Sequence, residues 1–381
     1  MNHRNSRRTA LLAALLGLSL AIPVARAEQP DGNTWLEWRG PTRDGKFYGP
    51  EWPADVAEEH LKELWRIDLA ESYSGPIVTE AHVFTTETRK KKTEVVTAFD
   101  RNTGDKIWEK EWQGSMRVTF FAASNGSWIR STPACDGKTL FVGGIREVLV
   151  ALDCASGEEK WRVDFVKDLS TKVPAFGFVC SPMLDDEHIY IQAGEGFAKL
   201  RKDTGKIVWR TAKDGGGMYG SAFSSPVFAQ LHDKRLILVQ TRTALKAIDV
   251  ETGDELASRD IKAFRGMNIL TPIVHENAVF TSAHSGVGEL MNFNPTGSDF
   301  DIEVQWENRK LEAYMSSPVV IGDHAYMQLK NQRFACFELA TGEEKWRTTP
   351  FGKYWSMVTQ GDRIPVSYTH LRAHETLRYL V

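Results

Sequence analysis

The chain has 381 residues, with 47 Lys and Arg against 50 Asp and Glu for a formal net charge of −3, and it is 42% hydrophobic and 25% charged. That is ordinary globular composition, and it excludes a collagen-like repeat, a disordered tail and a polybasic nucleic-acid binder. Length alone suggests two or three domains at about 150 residues each.

In chain order, residues 1–27 read as an export signal. Arg4, Arg7 and Arg8 form a positive head, residues 10–24 an apolar run, and Ala25-Arg26-Ala27 a small-x-small site cut after Ala27. Fifteen apolar residues fall short of the ~20 that a spanning helix needs, so no membrane span is predicted. Arg7-Arg8 fits a twin-arginine route as well as the general Sec route, and either ends in a periplasmic or secreted protein. Removing four arginines and no acid leaves 43 basic against 50 acidic residues, a net of −7. Such a chain attracts neither nucleic acid nor an anionic membrane. Residues 28–60 form an N-terminal extension.

From residue 61 to 365 one pattern recurs. A Thr/Ser-Gly turn is followed four residues later by Trp: Gly104 and Trp108, Gly157 and Trp161, Gly205 and Trp209, Gly342 and Trp346. Gly253 keeps the turn with Ala257 in the Trp slot, and Gly297 has a longer path to Trp306. Prolines 76, 133, 182, 226, 272 and 318 each follow Ser, Thr or Gly, at gaps of 57, 49, 44, 46 and 46 residues. A fixed period in this range means a solenoid, propeller or array. Within each period lie four short β-type runs, which is a propeller blade. The fold expected is therefore all-β: a single β-propeller of four-stranded blades, six complete and a seventh incomplete. Residues 62–66 resemble a fourth strand and are expected to close that seventh blade.

In such blades the loop joining strands two and three lies at the same end as the connection to the next blade. The predicted ligand- or partner-binding face therefore collects Arg146, Glu195, Arg242, His284 and Lys330 from the first kind of loop. Tyr219, Arg265 and Tyr314 come from the second. An aromatic funnel with a few charges is where propellers bind ligands. His82, His188 and His324 occupy equivalent positions in three separate blades, so no metal site is expected. Cys135 and Cys154 are read on the first and third strands of one blade, two spacings or about 9.6 Å apart, beyond the ~7 Å bridging limit. Cys180 and Cys336 fall in distant blades, so four thiols and no disulfide are expected.

Residues 366–381 are set apart. Val366-Ser367-Tyr368-Thr369-His370-Leu371-Arg372-Ala373-His374-Glu375-Thr376 resembles the translation of a transposase sequencing adapter, and this tail is read as non-native.

The repeat core Ala98–Trp108 and Ala151–Trp161, of form A-x-D-x-x-T/S-G-x-x-x-W, resembles the pyrroloquinoline-quinone (PQQ) type of propeller repeat. That unit builds quinoprotein dehydrogenases and BamB-like outer-membrane assembly scaffolds. Trp35-x-x-Trp38-Arg39-Gly40-Pro41-x-Arg43-Asp44-Gly45 is similar to the opening of secreted quinoprotein-like proteins. The resemblance implies fold strongly and activity weakly. Enzyme members hold PQQ with Ca2+ and usually carry adjacent cysteines, which this chain lacks. The function expected is a non-catalytic exported propeller without cofactor, a monomer binding a protein, envelope polymer or small ligand on its loop face. The alternatives are a PQQ-dependent alcohol or sugar dehydrogenase and a polysaccharide-binding propeller.

Overall fold

The computed structural model describes residues 32–53, 62–116, 118, 126–214, 222–369 and 378–380. Six four-stranded antiparallel meanders follow one another, each in chain order. Blade 1 consists of Ile77–Val78, His82–Arg89, Thr93–Asp100 and Lys106–Gln113. Blades 2 to 6 span 134–164, 183–211, 227–260, 273–308 and 319–347. A seventh sheet has three strands, Lys353–Met357, Ile364–Thr369 and Arg378–Leu380. No helix among the described residues is long and apolar enough to cross a membrane.

The two sequence marks have separate mechanical roles. At the Thr/Ser-Gly turns of blades 1, 2 and 4 the Asp carboxylate accepts backbone N–H groups, as Asp100 does from Asn102 and Thr103 at 2.8 and 2.9 Å. The Gly takes the left-handed conformation, φ 76° at Gly104 and 71° at Gly157. With no side chain there, the Trp of the preceding blade lies flat on the turn. A Cβ on Gly157 would sit 2.6 Å from Trp108, and one on Gly342 would meet Trp306 at 2.5 Å. The indole N–H then donates to the carbonyl one residue after the turn's first position: Trp108 to Cys154, Trp161 to Lys202 and Trp306 to Leu339, each at 2.9 Å. Trp209 breaks the series. Its Nε1 has no acceptor, because Lys199 Nζ takes the equivalent Val250 carbonyl at 3.0 Å.

The prolines mark an inner belt. At four of the six, the residue before the proline donates its N–H to the hydroxyl of its counterpart in the next blade. Gly75 bonds Thr132 at 2.9 Å, Thr132 bonds Ser181 at 3.1 Å, Ser181 bonds Ser225 at 3.0 Å and Thr271 bonds Ser317 at 3.0 Å. Proline next in line has no N–H to compete for the hydroxyl. Between belt and wedge lies the core, and each buried cluster is shared by two neighbours, from blades 1 and 2 (Phe84, Trp108, Leu140, Val150) round to blade 6 and the seventh sheet (Val319, Phe334, Trp355, Ile364).

The ring's seam is bridged from the N-terminal side. Residues 62–66 carry no ladder, yet Trp65 does what the blade tryptophans do: it donates to Arg101 O at 2.8 Å and lies on Gly104. The sequence did not reveal a second bridge. Residues 35–47 run up the axis and reach nearly every blade. Trp35 pairs with Val78, Leu36 O accepts from Cys135 N, and Lys46 bridges Thr359.

One expectation about spacing is corrected here. Cys154 does not lie on the third strand of blade 2, Val148–Asp153, but just past it in the turn. There its Sγ comes within 3.4 Å of Cys135 Sγ, so strand spacing does not separate the two thiols.

Candidate binding face and axial cavity

Arg39 and Arg43 are the two strongest polar anchors on the axis. Arg43 is 4% exposed; it donates to Pro226 O at 2.9 Å, to Pro182 O at 2.8 Å and to Glu37 Oε2 at 2.8 Å. Burial lifts the Glu37 carboxyl above its usual range, and Arg43 opposes that lift. Arg39 spends its guanidinium on backbone carbonyls, among them Ser317 at 3.0 Å and Asp44 at 2.8 Å. Burial brings its pKa down to about 10, so it stays cationic at neutral pH. The segment 35–47 is thus a plug held to carbonyls of the innermost strands.

Above the plug lies a cavity of about 560 Å³. Trp35, Trp38 and Arg39 form its floor, and Tyr73, Thr132, Phe223, Ile269, Met315 and Trp355 come from successive positions around the ring. Residues from so many blades share one cavity only at the axis. Tyr73, Thr132, Phe223, Ile269 and Met315 all precede the first strands of their blades, so the cavity opens toward the loop face. A smaller cavity of about 210 Å³ also borders Arg39 and Arg43, against the first strands of blades 4, 5 and 6.

Beside the mouth, the loop face carries a continuous arc. Phe264 and Tyr314 meet His284 edge-on, at 5.6 and 5.4 Å between ring centres, and Tyr314 stacks on Tyr354 at 6.3 Å. Backbone fixes the arc, since Phe264 N donates to His284 O at 2.8 Å. Glu312 organises its charges: Lys330 Nζ is 2.9 Å and His284 Nδ1 3.6 Å from Glu312 Oε1. Burial and the neighbouring Lys330 hold the His284 pKa below its usual value despite Glu312, so the ring is neutral at pH 7. Burial and Tyr354 raise the Tyr314 phenol, which stays protonated. Phe264 and Tyr354 are 48% and 51% exposed, so the two ends of the arc present their rings to solvent.

The structure divides the eight residues expected on this face. His284, Tyr314 and Lys330 come together in the arc, and exposed Arg265 lies over the Phe264 ring at 5.1 Å. Arg242 is not on the surface. It is 1% exposed, lies over the Phe223 ring at 4.5 Å, and its guanidinium donates to the carbonyls of Gly266 and Arg265. It shapes the connection from which Arg265 projects. Arg146 borders an outer groove with Arg162 and Lys167. Glu195 accepts from Lys172 N at 3.2 Å and ties two loops. Tyr219 lies outside the described residues. Sequence reasoning missed Glu312, which reads as an ordinary surface acid, and the plug arginines, whose acceptors are distant carbonyls.

His82, His188 and His324 each begin the second strand of their blade, three equivalent sites on separate sheets.

Known proteins share this architecture. The family model described as outer membrane protein assembly factor BamB matches residues 54–127 and 91–348. A relative of that name from Shewanella oneidensis is 21% identical over 282 residues, 74% of this chain and 58% of the relative. One from Yersinia pestis is 21% identical over 201 residues, 50% of this chain and 48% of the relative. The chain thus spans about half the length of these curated relatives. The crystal structure of BamB from Moraxella catarrhalis superimposes with a TM-score of 0.54 at 18% identity, covering 79% of this chain and 80% of that one. The blade periodicity, the indole wedges and the matched span agree, and the chain belongs to the family of the outer membrane protein assembly factor BamB.

Proposed function

We propose that this chain is a non-catalytic, monomeric scaffold of the cell envelope that docks a segment of a partner protein across the Phe264–His284–Tyr314–Tyr354 arc. The observation that carries the reading is the arc itself: exposed rings fixed in place by backbone, rimmed by the Lys330–Glu312 pair, on the face where the axial cavity opens. Aromatic anchors with a charged rim are the usual anatomy of a protein-binding surface. The relatives' printed name, an outer-membrane assembly factor, agrees with a protein partner in the envelope. The export signal expected over residues 1–27 agrees with that location.

The chemistry of the axial cavity also favours binding over catalysis. Calcium takes oxygen ligands, carboxylates foremost. The described side chains lining the cavity include Arg39 and several hydroxyls but no Asp or Glu. They do not fit a calcium-bound quinone, so no redox step is drawn through the site.

The test is site-specific photo-crosslinking in cells, with the photoreactive residue at Phe264 or Tyr354 and a control at Thr252 on the opposite turns. A discrete protein adduct from the loop face, absent from the control and weakened by Tyr314→Ala, is expected. Equal labelling on both faces would remove the reading. In parallel, PQQ with calcium is expected to leave the melting temperature unchanged and to give no dye-linked alcohol oxidation. Retention on an insoluble glycan that Tyr314→Ala abolishes would instead favour a polysaccharide ligand.

A further inference from the structure

Cys135 ends the first strand of blade 2, Ala134–Cys135, and Cys154 opens the turn after the third, Val148–Asp153. A ladder position would have left the second strand between them. The turn residue escapes that constraint because the chain there curls back over the blade's edge. Cys154 N donates to Lys138 O at 3.0 Å, which draws the turn against the hairpin joining strands one and two. The sulfurs are left 3.4 Å apart, both buried at 2% and 4% exposure. A disulfide has an S–S bond of about 2.05 Å, so small χ1 rotations shared between the two side chains close the gap. The other two cysteines have different neighbours: Cys180 Sγ accepts from Gln192 N, and Cys336 lies beside Tyr326.

We propose that Cys135 and Cys154 form a disulfide that staples the turn edge of blade 2. The electron acceptor is a thiol–disulfide oxidant, either a protein dithiol in its oxidised form or oxidised glutathione. Gly137 N–H points at Cys135 Sγ from 3.2 Å and stabilises its thiolate, so Cys135 attacks first. The Cys135 thiol loses its proton, its sulfur bonds one sulfur of the oxidant, and the oxidant's other sulfur leaves as a thiolate. Cys154 then loses its proton and attacks Cys135 Sγ, expelling the second thiolate. The two released protons pass through solvent to the two departing thiolates, so the oxidant ends as two thiols carrying the two electrons.

The staple joins two points that the fold already uses. Cys135 N donates to Leu36 O of the axial plug at 2.8 Å, and Cys154 O accepts from the Trp108 wedge of blade 1 at 2.9 Å. The bond would therefore fix plug, blade 2 and blade 1 together. The setting in which it forms rests on the envelope location proposed above. The pairing itself does not, and the experiment separates the two.

The reduced, unfolded full chain is refolded in mixtures of oxidised and reduced glutathione, quenched with acid, alkylated and digested with trypsin. The expected product is lighter by two hydrogens and contains peptide 131–138 linked to 147–160, while Cys180 and Cys336 are alkylated. Cys180→Ser/Cys336→Ser should behave identically, and Cys135→Ser should give no linked peptide. Dithiothreitol should lower the melting temperature of the oxidised chain by a few degrees and leave that of Cys135→Ser unmoved. Four alkylated thiols at every glutathione ratio, or links to Cys180 or Cys336 in equal yield, would overturn the pairing. The same digest on protein alkylated at cell lysis reads the state in the cell. Closure in vitro with reduced thiols in the cell supports the pairing and counts against the envelope location alone.

Discussion

Glu147 has a backbone in the left-handed region, φ 62°, and a carboxyl that is almost fully enclosed, its Oε2 accepting Gly194 N at 2.7 Å. Burial pushes its pKa up to about 8; Asp214 and Glu195 add to the rise, and Gly194 N–H and Arg210 oppose it. Glu94 behaves alike, raised to about 7 by burial against bonds from Ile145 N and Trp112 Nε1. The folded chain therefore holds more protons than the unfolded chain between about pH 4.5 and these values, and stability falls as pH rises through that window. Glu147→Gln keeps an acceptor for Gly194 and carries no charge. It should match the wild type at pH 4 and exceed it increasingly toward pH 8.5, read from urea midpoints. At this scale the sequence was informative wherever a residue's role is local. Gly104 and Asp100 are legible from a four-residue turn, and Trp108 from its spacing to it. Glu147 and Glu312 were not, because their environment is made by loops of neighbouring blades.

The departure at Ala257 is explained by an element. Blade 5 carries the long hairpin Gly288–Thr296 and Asp299–Asn308, strands of 9 and 10 residues. Its Phe293 and Phe300 are buried with Leu256 against blade 4, and Ala257 packs beside them. The volume that an indole supplies at other seams comes here from the opposite side. Gly297, carried outward on the hairpin tip, accordingly has open space above it. Restoring the repeat should therefore harm the protein. Ala257→Trp would overpack the seam, costing about 1–3 kcal/mol. Phe300→Ala, at a site where the consensus foresees nothing, should cost about 3–5 kcal/mol in chemical denaturation. The pattern announced the irregular copy but not its compensation, since two partners on different blades share one volume. The cysteine spacing failed for a related reason: strand arithmetic holds inside a ladder, and Cys154 had just left it.

Over the whole molecule, the ring and its blade count were legible because each unit repeats the same local signals. The plug was not. Arg43 reaches Pro226 and Pro182, 183 and 139 residues away, and Arg39 reaches Ser317 278 residues away. No window of sequence contains such a bond. Repeat arrays coupled only between neighbours tend to lose all-or-none unfolding. A central segment bound to several blades at once restores it. Deleting residues 32–47 should split or broaden the calorimetric transition, with a van't Hoff enthalpy below the calorimetric one, whereas the intact chain melts in a single step. The same segment constrains the order of assembly. It leaves the ribosome ahead of every blade, yet its guanidinium groups complete their set of acceptors only after residues 226 and 318 have been made. A stretch synthesised before every blade is thus secured only when blade 6 has begun, and the blades must close around a spindle already threaded through them.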